Sequence, residues 1–144
     1  SKGGNLLLNV GPNGRGEIDK RAGERLEGIG AWMKYNSRSI YGCGPAPEKY
    51  QCPPDCRYTF NEKTKRLYLH IMAWPFRNIH LPDMAGKVEY AQFLHDASEI
   101  RFRDQGKKVH EGLNVRTPKS AVTLELPVIK PDIEIPVIEL FLKR

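Results

Sequence analysis

The sequence predicts a mainly β chain: an antiparallel β-sandwich preceded by one β-strand/α-helix unit of the kind from which β/α barrels are built. Three observations predict it. The first forty residues hold a short apolar run, a glycine-rich loop and a helical stripe. A proline-rich stretch follows. From Arg57 onward, short runs of alternating polarity are separated by turn residues.

Leu6-Leu7-Leu8-Asn9-Val10 is nearly continuously apolar, which suits a strand covered on both faces, as in a parallel sheet. Gly11-Pro12-Asn13-Gly14-Arg15-Gly16 is a loop by composition. Its glycines match neither the Walker spacing nor GxGxxG, so a tight strand-to-helix connection is expected rather than a phosphate cradle. Asp19 can cap the helix that follows by accepting a backbone hydrogen bond. From Lys20 to Asn36, Ala22, Leu26, Ile29 and Met33 recur at helical spacing and predict one buried stripe, with Trp32 beside it. Gly28 and Gly30 weaken that helix by about 1 kcal/mol each relative to Ala. A closed β/α barrel needs eight such units and typically about 250 residues. A lone unit with a doubly buried strand implies partners outside the chain, so a fragment of a longer protein is expected.

Residues 43–56 read as a linker, because four prolines remove backbone donors from regular structure. Tyr58-Thr59-Phe60, the turn Asn61–Lys65 and Leu67–Trp74 predict a hairpin. Ile79–Leu81 predicts a short edge strand ended by Pro82. Val88–His95 and Glu99–Arg103 flank the turn Asp96-Ala97-Ser98. Val122, Leu124 and Leu126 alternate with Thr123 and Glu125. Ile135 to Leu142 forms a last strand, and Pro136 near its start favours an edge or an irregular beginning. Roughly six to eight short strands with turns between them suggest a sandwich.

The 144 residues carry 23 basic and 17 acidic side chains, a net charge of +6. The basic residues are scattered among acids and match no helix-turn-helix, finger or RNA-binding signature, so no nucleic-acid partner is expected. No apolar run approaches the roughly 18 residues of a membrane helix, and no membrane association is expected. Cys43, Cys52 and Cys56 are an odd count, and Cys52 and Cys56 lack CxxC spacing. Free thiols, with one disulfide left open, are the reading. The histidines at 70, 80, 95 and 110 form no close pair with another ligand, so no metal site is expected.

Ser1-Lys2-Gly3-Gly4-Asn5-Leu6-Leu7-Leu8-Asn9-Val10-Gly11-Pro12 resembles the late-barrel segment of retaining α-L-fucosidases. So do Gly14, Glu24-Arg25-Leu26, Ile29-Gly30, Trp32 and Ile40-Tyr41-Gly42. Cys52 to Arg103, with PPDCRYTF, RLYLH, WPF and GKVEYAQFLHD, is similar to the C-terminal domain of one branch of that family. The resemblance implies that residues 1–42 are the terminal strand-loop-helix left over from a barrel, 43–56 a linker and 57–144 a C-terminal β-sandwich. It implies a glycoside hydrolase that removes terminal α-L-fucose with retention, without metal or organic cofactor.

In the family, the carboxylates and the sugar-binding histidines precede the segment matching Ser1. No catalytic residue is therefore assigned here, and the isolated chain is expected to be inactive. Its partners are then the missing catalytic barrel and, through the parent enzyme, a fucosylated glycan. Asn9, near the C-terminal end of the barrel strand, is the one candidate substrate-binding residue. The competing role for Asn9 is hydrogen bonding to neighbouring loops. Asp55, Glu89, Asp96 and Glu99 read as surface and turn acids. Trp74, Phe76, Tyr50 and Tyr58 could stack sugars but are more simply core residues. A carbohydrate-binding module and a hydrolase completed by another chain are the alternatives. The orphan unit predicts poorly covered apolar surface and self-association of the isolated chain.

Overall fold

The computed structural model describes residues 1–104 and 120–143. His110 lies outside them. Helix α1 spans Lys20–Asn36, and a 3-10 turn follows at Ser37–Ser39. Seven strands come next: β1 Cys56–Asn61, β2 Arg66–Ile71, β3 Asn78–Leu81, β4 Val88–Phe93, β5 Phe102–Asp104, β6 Val122–Glu125 and β7 Val137–Leu142. They form a four-stranded sheet, β1-β2-β7-β4, and a three-stranded sheet, β3-β6-β5, with every pairing antiparallel.

Alternation along the strands places the core between the sheets. Leu67, Leu69 and Ile71 of β2 and Ile138 and Leu140 of β7 pack with Leu81, Val122 and Leu124, all fully buried. Odd and even positions face opposite sides of a strand. Arg66, Tyr68 and His70 of β2 therefore share the outer face with Val137, Glu139 and Phe141 of β7. The β1–β2 turn closes because the Asn61 side chain accepts from the Lys63 and Thr64 amides, each at 3.1 Å, and Lys65 turns left-handed at φ 54°.

Three expectations are made definite by the structure. Leu6–Val10 carries no strand ladder among the described residues, and Leu6, Leu7 and Leu8 are 87%, 94% and 56% exposed. A parallel strand exists only beside its neighbours, and none lies here. The stripe on α1 is half-buried at Ala22, Leu26 and Met33 and open at Ile29, the poor cover expected of an orphan unit. β7 is a central strand, held between β2 and β4, with Pro136 just before it. The proline gives up no ladder donor there, and its carbonyl accepts from the Ile71 amide at 3.0 Å.

The glycine-rich loop is tied by Asn13. Its side chain accepts from the Arg15 and Glu17 amides at 2.8 and 3.0 Å, and Gly16 supplies φ +82°. Asp19 caps α1, accepting from the Arg21 amide at 3.1 Å. The stretch 43–56 is fastened to the sandwich. Gly44 pairs with Phe60, and Ala46 and Tyr50 pack on the core.

Candidate functional site

The chemistry-bearing side chains gather on the outer face of the four-stranded sheet, where α1 and the 3-10 turn cover it. Trp32 is the anchor. Its indole N–H donates to the Ile135 carbonyl at 2.8 Å, and its ring lies 6.2 Å from that of His70. A cavity of 690 Å³ opens beside it, walled by Ile29, Trp32, Ile40, His70, Met72 and Ile135.

Thr59 fixes the protonation of His70. Its hydroxyl donates to the Ser39 carbonyl at 2.6 Å, which uses its one proton. The 3.0 Å contact with His70 Nε2 must then run the other way, with Nε2–H donating to Thr59 Oγ1. Burial favours the uncharged ring and pulls the His70 pKa down to about 4.

Glu139, one position pair along the same face, is the second centre. It is buried, and both its oxygens are engaged. Oε2 accepts from Gln92 Nε2 at 2.8 Å and from Arg38 at 3.4 Å. Oε1 accepts from the Tyr68 hydroxyl at 3.3 Å and lies 3.8 Å from Arg66 Nε. Burial and the adjacent Glu139 raise the Tyr68 phenol above its usual range. Arg38 comes from the 3-10 turn, so this cluster fastens the end of α1 to three strands of the sheet. A carboxyl group held on both oxygens by three hydrogen bonds and the Arg66 ion pair organises the joint.

The remaining candidates lie apart from this seam. Asn9 is exposed and does not line the 690 Å³ cavity. Asp55 turns left-handed at φ 54°, and its carbonyl accepts from the Met72 amide at 2.8 Å. Burial works to raise the Asp96 carboxyl, but the Ser98 amide and hydroxyl, at 2.9 and 2.7 Å, outweigh it and hold the group low. Glu99 is exposed beside Gln92. The four aromatics take separate roles. Tyr58 is core, Trp74 stacks on Phe93, Phe76 is 78% exposed, and Tyr50 packs on Phe60.

The three cysteines are free thiols, and burial pushes Cys56 up to about 12. Among the described residues no group of three or more His, Cys, Asp or Glu could hold a metal ion, and no helix is long and apolar enough to cross a membrane. Sequence reasoning missed His70 and Glu139. The available signal was a polar residue inside an apolar strand: Leu69-His70-Ile71 and Ile138-Glu139-Leu140.

The family model described as alpha-L-fucosidase matches residues 1–38, the segment that ends in Arg38. The alpha-L-fucosidase of Dictyostelium discoideum is 30% identical over 130 residues, which is 90% of this chain and 27% of that protein. The plasma alpha-L-fucosidase of Pongo abelii is 38% identical over 130 residues, 88% of this chain and 26% of that protein. Over nearly its whole length the chain is related in sequence to α-L-fucosidases. Among solved structures, alpha-L-fucosidase isoenzyme 1 from Paenibacillus thiaminolyticus superposes with a TM-score of 0.79 and 33% identity, over 97% of this chain and 31% of that one. The β-sandwich with its leading helix is thus an arrangement found within that fucosidase. The chain spans about a quarter of the length of the curated relatives it matches, a share consistent with a C-terminal portion of a fucosidase.

Proposed function

We propose that this chain is the C-terminal accessory part of an enzyme that hydrolyses terminal α-L-fucose from glycans with retention, and that it is inactive alone. The observation that carries the reading is the open apolar surface of the family-matched segment, where Leu6, Leu7 and Leu8 stand in solvent. Three consecutive leucines are stable only under cover, since each buried side chain of this size contributes about 1.5–3 kcal/mol. A β/α catalytic domain would supply that cover.

In this reading residues 1–42 are the last strand-loop-helix portion of the barrel, 43–56 connect, and 57–144 form the accessory sandwich. Asn9 follows the leucines, at the strand end where barrel active sites are built. There it supports the sugar pocket or holds the neighbouring loops.

Retaining hydrolysis needs two carboxyl groups about 5–5.5 Å apart, one attacking the anomeric carbon and one protonating the leaving oxygen. Both are assigned to residues outside this chain. No metal or organic cofactor takes part. The sandwich contributes through the seam: Trp32, Arg38 and Glu139 set the angle at which the barrel's last helix leaves for the sandwich.

The test is hydrolysis of a chromogenic α-L-fucoside by the 144-residue chain beside a longer product that includes the upstream sequence. Turnover by the longer protein alone is the expected result. Reproducible turnover by the short chain, with contaminating enzyme excluded, overturns the accessory reading.

A further inference from the structure

The opposite end of the outer sheet face, around Arg66 and Phe141, carries a feature that the fucosidase reading does not use. A groove of 1190 Å³ runs between the loop holding Pro47 to Tyr50, the β1–β2 turn and the end of β7. Tyr50 and Phe60 lie along it with ring centroids 6.2 Å apart. Five basic side chains line it (Lys49, Lys63, Lys65, Arg66 and Lys143) against two acidic ones, Glu62 and Glu89.

Two of the five cations are committed. Lys65 pairs with Glu62, and Arg66 lies over the Phe141 ring at 3.7 Å and beside Glu139. Lys49, Lys63 and Lys143 are exposed and form no ion pair with a described residue. Two ammonium groups lie near the Tyr50 ring: Lys49 Nζ is 5.2 Å and Lys87 Nζ 5.7 Å from its centroid.

Clustered ammonium groups raise the local concentration of anions, and the cluster focuses that field along a concave wall. An aromatic ring set among them offers an apolar face to a sugar ring. Glu62 and Glu89 interrupt the positive wall. They can accept hydrogen bonds from sugar hydroxyls, donors that a glycan carries along its length and a DNA phosphodiester backbone lacks.

We propose that this groove binds a segment of anionic polysaccharide, with its sulfate or carboxylate groups on Lys49, Lys63 and Lys143 and a sugar ring against Tyr50. The choice of a glycan ligand rests on the fucosidase reading; the groove itself does not. It gives the sandwich a second task, holding a charged glycan near an enzyme that trims it.

The experiment is a titration of the 144-residue chain with dextran sulfate, neutral dextran and a short DNA duplex at matched ionic strength. Dextran sulfate should bind, neutral dextran should not, and DNA should bind more weakly. The variant K49E/K63E/K143E, all exposed positions, should weaken dextran sulfate binding at least about tenfold and flatten its salt dependence. Tyr50→Leu keeps an apolar side chain on the core and should weaken binding while leaving the salt slope unchanged. Undiminished binding by the triple variant, equal binding of neutral dextran, or tighter binding of DNA each overturns the proposal. The titration does not read hydrolysis, so it stands or fails separately from the fucoside assay.

Discussion

His70 shows how one residue can make a fold sensitive to pH. Its ring is buried, donates to Thr59 and is held neutral, with its pKa down at about 4. In the unfolded chain the ring titrates near the ordinary value of about 6.5. The sign follows. Above the unfolded value neither state binds the proton, so stability does not change. As pH falls from about 6.5 toward 4, the unfolded state gains a proton that the folded state refuses, and stability is lost. Below about 4 both states are protonated and the loss levels off. The span corresponds to about 3 kcal/mol as an upper figure. Urea denaturation at pH 7.5, 5.5 and 4.5 should show this decline, and the His70→Gln variant should lose less than the parent chain over the same range. An identical decline in both would assign the sensitivity to other groups.

At the scale of elements, the sequence was legible where period and turn chemistry speak locally. The β1–β2 hairpin and its Asn61 turn follow from alternation, and α1 follows from helical spacing and the Asp19 cap. Order within the sheets was not legible. Alternation says which face a residue takes but not which strand lies beside it, so Pro136 left an edge strand and an irregular beginning both open, and β7 proves central with the proline just before it. Likewise Glu99 follows the turn after β4, yet the chain then crosses to the other sheet, where β5 pairs with β6.

The seam was hidden for the same reason: Glu139, Arg66, Tyr68, Gln92 and Arg38 come from elements far apart in sequence. Within α1 itself, Trp32 ties the helix to the sandwich through the Ile135 carbonyl, just before β7. Trp32→Phe keeps an aromatic ring but removes the donor to Ile135, at a cost of about 1 kcal/mol. Hydrogen exchange should then speed up across Lys20–Asn36 while β2 and β7 keep their protection. Faster exchange throughout the sheet would mean that the helix is integral to the sandwich.

The whole molecule has a closed half and an open half. The leucines and isoleucines on the seven strands are buried, while Leu6, Leu7, Leu8, Ile29 and Tyr41 remain in contact with water. Contiguous exposed apolar surface favours association. Light scattering at rising concentration should show the chain self-associating, and the variant L6N/L7N/L8N should shift it toward monomer without changing the melting of the sandwich. A parent chain that stays monodisperse across that range would show the leucines to be harmless in water.

The central place of β7 also governs when the sheet can exist during synthesis. β2 and β4 both pair with a strand that the ribosome makes after them, and Arg66 meets Phe141 only when nearly all of the intervening chain has emerged. At about 5–20 residues per second, this leaves several seconds in which β2 and β4 present bare amides and carbonyls on the sides meant for β7. A ribosome that stalls in that interval, or a message cut short before Val137, releases two sticky half-sheets rather than a slightly shorter sandwich, and nascent-chain chaperones would be expected to dwell there longest.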